Sequence, residues 1–243
     1  MMAAKLLSAD GHSVVLHARN ARRAMDSRAS LPAAEDVIVG DLSSIAAMRD
    51  VAKQANALGQ FDAVIHNAGI GYREARRTDT ADGLSQLFAV NVLAPYVLTA
   101  LIERPRRLVY LSSGMHHRVT ANLEDLNWTE RPWQGSSAYA ESKLLDVLLA
   151  FAIARRWKGV LSNALEPGWV PTRMGGAGAP DDMDQAHRTQ AWLAVSDEPQ
   201  ARVTGGYFYH LRPRAANPQA HDVRLQDRLL AACERLTAIA MPE

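Results

Sequence analysis

Tyr139 and Lys143 stand four residues apart in Ser137-Ala138-Tyr139-Ala140-Glu141-Ser142-Lys143, and on a helix residues four apart share one face. A phenol titrates near 10, so it exchanges protons around neutrality only where its anion is stabilised by about 4 kcal/mol. A close, partly desolvated ammonium supplies stabilisation of that order. The pair suits proton transfer to or from a substrate oxygen; the simpler alternative is a half-buried tyrosine beside a solvated lysine. Two further hydroxyls, Ser112 and Ser113, precede Gly114 at the end of an apolar run. Taken alone, such a tripeptide is more often turn chemistry than catalysis.

Groups so far apart in sequence need a scaffold to meet, and the hydrophobic pattern supplies one. Short apolar or β-branched runs at residues 13–17, 36–39, 61–66, 107–111, 161–165 and 206–210 read as strands, with helical patterns between them, notably at 45–58, 81–101 and 138–157. Several strands are near-continuous apolar runs, as in strands buried on both faces. Their alternation with helices predicts an α/β, doubly wound parallel sheet.

Ligands of such sheets sit beyond the carboxyl ends of the strands, and three more stretches fall there. His66-Asn67-Ala68-Gly69 either lets the backbone approach a flat ligand or is a plain turn. In Glu166-Pro167-Gly168-Trp169-Val170-Pro171-Thr172, Pro-Gly is an ordinary strand stop, but a threonine four residues after Gly168 is not punctuation. The segment His17-Ala18-Arg19-Asn20-Ala21-Arg22-Arg23 holds three arginines and no carboxylate. It suits a phosphate, or is a solvated basic helix start.

The chain has 243 residues, 48% hydrophobic and 22% charged, with a net charge of +1. That size suits one α/β domain spanning residues 1–243, and the balance steers it to neither nucleic acid nor a membrane surface. One cysteine, Cys233, excludes an internal disulfide and points to a reducing compartment. The first residues lack a signal-peptide pattern, and the longest apolar run, residues 147–154, is too short to cross a bilayer. A cytoplasmic location is expected. The eight histidines show no metal-ligand spacing, so no metal site is expected.

Taken in order, these pieces resemble the short-chain dehydrogenase/reductase family over nearly the whole chain. His66-Asn67-Ala68-Gly69 is similar to its Asn-Asn-Ala-Gly motif, with histidine in the first place. Asp41-Leu42 stands where an adenine-contacting aspartate follows the third strand. Asn91, Ser113, Tyr139 and Lys143 match the catalytic Asn, Ser, Tyr and Lys, and Pro167-Gly168 through Thr172 match the motif that borders the nicotinamide. The 26 residues from Ser113 to Tyr139, with His116-His117, Trp128 and Trp133 between them, resemble the retinol-dehydrogenase-like and related carbonyl-reducing branches. The two tryptophans are expected to pin that loop.

The resemblance implies an NAD(P)-dependent oxidoreductase acting on a small-molecule carbonyl or alcohol. Tyr139 would exchange the proton while hydride passes between nicotinamide and carbon. Ser113 would hydrogen-bond the substrate oxygen, Lys143 would lower the tyrosine pKa and hold the ribose, and Asn91 would hold a relay water. The cofactor-binding set is then Arg19, Asp41, Leu42, Asn67, Ala68, Gly69, Tyr139, Lys143, Pro167, Gly168 and Thr172. Arg19 favours NADP, with NAD the alternative.

One family feature is missing. The first strand and its glycine-rich turn, whose amides would hold a pyrophosphate, have no counterpart, and residues 2–7 read as the body of the helix that should follow. Gly175-Gly176-Ala177-Gly178 does not link a strand to a helix and cannot substitute. Without that strand, residues 13–17 and 61–66 would face one another across a gap of about 10 Å. The sheet closes up, another chain lends a strand, or Met1 is an internal methionine of a longer protein; the last is favoured here. Cofactor binding would be impaired, and the competing function is a catalytically silent chain of this fold serving in binding or assembly. Residues 115–136 and 174–195 are expected to shape the substrate pocket, with Met183, His187 and Trp192 as candidate lining. Residues 222–239 read as an amphipathic helix packed on the sheet or meeting a partner, and the resemblance admits a homodimer as well as a monomer.

Overall fold

The computed structural model describes every residue from Met1 to Glu243. The chain opens with α1 (Met2–Ala9), β1 (Val15–Ala18), α2 (Ala21–Ser30), β2 (Asp36–Val39), α3 (Ile45–Ala57) and β3 (Ala63–His66). A helical stretch in three parts follows: α4 (Gln86–Phe88), a π-helical turn (Ala89–Leu93) and α5 (Ala94–Leu101). Then come β4 (Arg107–Leu111), α6 (Gly135–Arg156), β5 (Leu161–Glu166), α7 (Arg188–Val195), β6 (Tyr207–Tyr209), β7 (Arg212–Pro213) and α8 (Val223–Thr237).

Strands β3, β4, β5 and β6 are parallel neighbours, and β7 adds antiparallel to β6. His66 pairs with Tyr110 and Leu111 with Leu165, so β3, β4 and β5 finish level at one edge. β1 and β2 form a separate parallel pair, with Ala18 opposite Val39. No ladder bond joins β1 to β3, so the sheet does not close up. What bridges the two parts there is apolar contact. Ala3 and Leu7 of α1 meet Ala191 of α7, with Val14, Ile65 and Val195 packed against them.

The centre of the molecule is α6. Its apolar residues run all round the helix, which fits a helix enclosed on every side, and Leu144, Val147, Leu148, Ala150, Ala152 and Ile153 are fully buried. They belong to one apolar cluster of 39 buried residues, from Ile38 to Met241. The amphipathic C-terminal helix, α8, packs on α6 and α5 rather than on the sheet. The stretch 81–101 starts its helix later than its pattern suggests, at Gln86. Gly83 takes φ +73° in a turn, and Asp82 there caps α3, accepting from the Ile45 N–H at 2.8 Å.

Leu148 is fully buried in the large apolar cluster, so Leu148→Ala is expected to cost about 2–5 kcal/mol without shifting the site. Urea unfolding measures this as a fall in the midpoint at unchanged slope.

Candidate functional site

The level carboxyl ends of β3, β4 and β5 place three loops side by side, and α6 begins beneath them. β4 delivers Ser112 and Ser113. Ser112 is buried and donates to the Lys143 carbonyl at 2.7 Å, which fixes α6 to the strand end. Ser113 starts a short 3₁₀ turn (Gly114–Arg118), its Oγ accepting from the Met115 N–H. Gly114 lies so close to the Glu166 carboxylate that a Cβ has no room. Glu166 is paired with Arg214, and burial still pushes its carboxyl up.

Behind Ser113, His116 donates from Nδ1 to the Ser113 carbonyl at 2.7 Å and accepts at Nε2 from the Asn217 N–H. It is fully buried, and that burial pushes it down to about 4. His116 is thus a neutral prop for the serine turn.

Tyr139 and Lys143 lie in the first three turns of α6. The Lys143 nitrogen is 5.9 Å from the Tyr139 ring centroid and donates to the Leu111 carbonyl and to Asp146 Oδ2, each at 2.7 Å. Asn91 sits in the π turn, a form of helix that recurs at functional sites. Its Oδ1 accepts from the Ile70 N–H at 2.7 Å, while Nδ2 donates to the Ile70 carbonyl and to Ser142 Oγ. Ser142 in turn donates to the Tyr139 carbonyl. A Cβ on Gly69 would meet Asn91 Oδ1 at 3.5 Å and Lys143 Nζ at 3.7 Å, so the β3 loop lies directly over both.

The wall around Tyr139 is aromatic. Leu87, Trp128 and Ala138 are buried with it, and Tyr72, Met115 and Trp133 pack against them. Trp133 donates to the Glu74 carbonyl, and Trp128 lies under the Arg131 guanidinium at 3.6 Å, so both tryptophans pin the 115–136 loop. After β5, Gly168 takes φ +90° and has no room for a side chain beside Asp181. Thr172 Oγ1 accepts from the Gly175 N–H, and the Gly175 carbonyl receives Tyr72, Arg73 and Trp169.

The expected residues therefore fall in two groups. Asn91, Ser113, Tyr139, Lys143 and Gly69 are gathered where α6 meets the ends of β3 and β4, with exposed Asn67 and Ala68 beside them and Pro167, Gly168 and Thr172 on the adjoining loop. Arg19 and Asp41 lie at the ends of β1 and β2, exposed and without an ion pair, whereas the Leu42 side chain is in the core. Trp192 faces elsewhere than expected: it packs on Phe208 and donates to Glu198. Met183 and His187, in the turns before α7, make no hydrogen bond to a site residue.

Asp146, missed as a site residue, was visible as a lone carboxylate three residues after Lys143. His66 is not a ligand-facing residue. It is buried, bonds Thr99 Oγ1 at 3.0 Å, and is pushed down to about 3 by that burial. A histidine that stays neutral when folded but charges when unfolded makes stability fall as pH drops from about 6.5 toward the folded value, by up to about 1.4 kcal/mol per pH unit. Urea midpoints between pH 6.5 and 4 should fall less steeply for His66→Asn than for the parent; equal slopes would assign the acid sensitivity to other groups.

A family model described as enoyl-(acyl carrier protein) reductase matches residues 1–202. An uncharacterised oxidoreductase of Emericella nidulans is 45% identical over 99% of this chain and 93% of its own length. Retinol dehydrogenase 13 of Homo sapiens is 31% identical over 83% of this chain and 68% of its own. A crystal structure of an uncharacterised protein from Mycobacterium paratuberculosis is 27% identical and superposes with a TM-score of 0.83, covering 100% of this chain and 90% of its own.

Proposed function

The chain belongs to the short-chain dehydrogenase/reductase family, and from that premise we propose that it transfers hydride between a nicotinamide cofactor and a carbonyl or alcohol, with Tyr139 as the proton donor and acceptor. The observation that carries this is the convergence of Tyr139, Lys143, Asn91 and Gly69 at the level ends of β3 and β4. The large apolar cluster that runs through both parts of the sheet supports residues 1–243 acting as one unit.

The residues present fit the nicotinamide half of a cofactor. Gly69 is exposed on one side and lies against Asn91 and Lys143 on the other, so a flat ring or a ribose can approach the backbone there. Lys143 would hold the ribose, Gly69 and the Pro167-Gly168 turn would border the ring, and Thr172 would close that side. A bound nicotinamide supplies or accepts the hydride. Tyr139 then moves a proton at its hydroxyl to or from the substrate oxygen, and Ser113 Oγ hydrogen-bonds that oxygen. Both Asn91 amide hydrogens are engaged, so a relay water on this residue is left with the second Oδ1 lone pair or the backbone carbonyl. The wall of Tyr72, Met115 and Trp133 favours a substrate whose carbonyl sits on an apolar body.

At the other end, exposed Arg19 without an acidic partner suits the 2′-phosphate of NADP. The unpaired facing edges of β1 and β3 favour the second reading, a chain of this fold that binds without turnover. Nicotinamide fluorescence separates the two. Saturable NADPH binding supports the enzyme, and no binding up to millimolar cofactor supports the silent form.

With binding in hand, Arg19→Ala should weaken NADPH about tenfold and leave NADH nearly unchanged. Tyr139→Phe should keep the cofactor affinity while lowering turnover of a reduced carbonyl by about 10²–10⁴-fold. Activity that survives Tyr139→Phe would remove the tyrosine from the chemistry.

A further inference from the structure

Asp146 is the only charged residue between Lys143 and Arg155 on α6. Its side chain is 3% exposed, Oδ2 accepts from Lys143 at 2.7 Å, and Oδ1 finds no donor. Taking a carboxylate out of water costs several kcal/mol, and an uncharged side chain here would leave the buried Lys143 ammonium without its counter-charge. Its presence is explained by what it does to Lys143. An ammonium has three N–H donors. One goes to the Leu111 carbonyl and one to Asp146, which leaves one.

We propose that Asp146 is a positioning residue for Lys143: its carboxylate anchors the ammonium against the end of β4 with a single donor left free, and loss of the negative charge releases it. The proposal deepens the oxidoreductase reading above and rests on it for the use made of Lys143.

The titratable groups that face Asp146 come from two elements. Lys143 is on its own helix and Tyr110 is on β4. Behind Tyr110, its hydroxyl bonds Thr99 of α5 at 2.7 Å, and Thr99 bonds His66 of β3. Burial pushes the Tyr110 phenol far up, with the Asp146 charge adding to it, and pushes His66 down to about 3. Neither changes charge between pH 5 and 8. Asp146 does, because burial outweighs the pull of Lys143 and lifts its carboxyl to about 6. Below that pH, Lys143 loses its counter-charge, and its bond to the neutral carboxyl is weaker than the one to the carboxylate.

The test needs no cofactor. In protein labelled with ¹³C at the lysine ε-carbons, the Lys143 signal, assigned with Lys143→Met, should move through a step with a midpoint near 6. Asp146→Asn should abolish the step, and Asp146→Glu, which keeps the charge, should retain it. No step near pH 6 in any lysine signal of the unaltered protein, or the same step in Asp146→Asn, overturns the proposal; the first outcome needs no assignment and stands even if the variants do not fold. NADH, which lacks the titrating 2′-phosphate, gives the second readout. Its affinity should fall about threefold below pH 6 and stay flat in Asp146→Asn. Failure of every form to bind NADH would count against the oxidoreductase reading alone, because the lysine signal reports the anchor independently.

Discussion

An ammonium group almost removed from water is the constraint around which this structure is arranged. The Lys143 side chain is 7% exposed, and a buried charge is tolerated only with close partners of good geometry. The Leu111 carbonyl and Asp146 provide them. Both bonds demand that α6 lie directly against the end of β4, and the Ser112 hydroxyl on the Lys143 carbonyl locks the same contact from the strand side. Once α6 is held there, Tyr139 stands one turn before the lysine, Ser113 follows the anchoring strand, and the clamp from Asn91 through Ser142 ties the π turn to the same helix.

Strand pairing divides the molecule into two parts. From β3 to β6 the strands are joined by directional ladder bonds, which set their ends level and so fix the chemical groups relative to one another. β1 and β2, which lead into Arg19 and Asp41, are joined to that part by apolar packing and by hydrogen bonds from α3, such as Ile45 N–H to Asp82 and Asn56 Nδ2 to the Leu101 carbonyl. Met48, Val51 and Ala52 of α3 sink into the main core, and Gly40 has no side chain because Val51 fills the space. Arg19 and Asp41 thus stand where no strand ladder reaches the rest of the sheet, whereas Lys143 and Asn91 are tied by hydrogen bonds to the end of β4 and to the loop after β3.

Much of this was legible in the sequence, for physical reasons that differ by element. β2 and β4 have the bounds their apolar runs suggest, and α6 is recognisable because a long apolar stretch free of Pro and Gly has little else to become. α2 carries no apolar periodicity, and it buries no residue. The π turn at Asn91 is a property of packing and leaves no signature in residue order. Tyr139 and Lys143 could be paired from spacing alone, whereas Asp146 shows only as a misplaced charge until the lysine nitrogen is seen to turn toward it. His66 stands in the first place of a motif, yet its partner, Thr99, lies 33 residues away in a core that only the fold assembles.

In the proposed reaction a nicotinamide passes hydride to a substrate carbon while Tyr139 passes a proton to its oxygen. The most direct test of this is a mass-spectrometric measurement of deuterium transfer from NADPH labelled at C4 to a panel of ketones and aldehydes with apolar bodies. The expected result is one deuterium on the carbinol carbon of at least one product, formed by the unaltered protein. Cofactor that binds saturably while no compound of the panel acquires the label would contradict it.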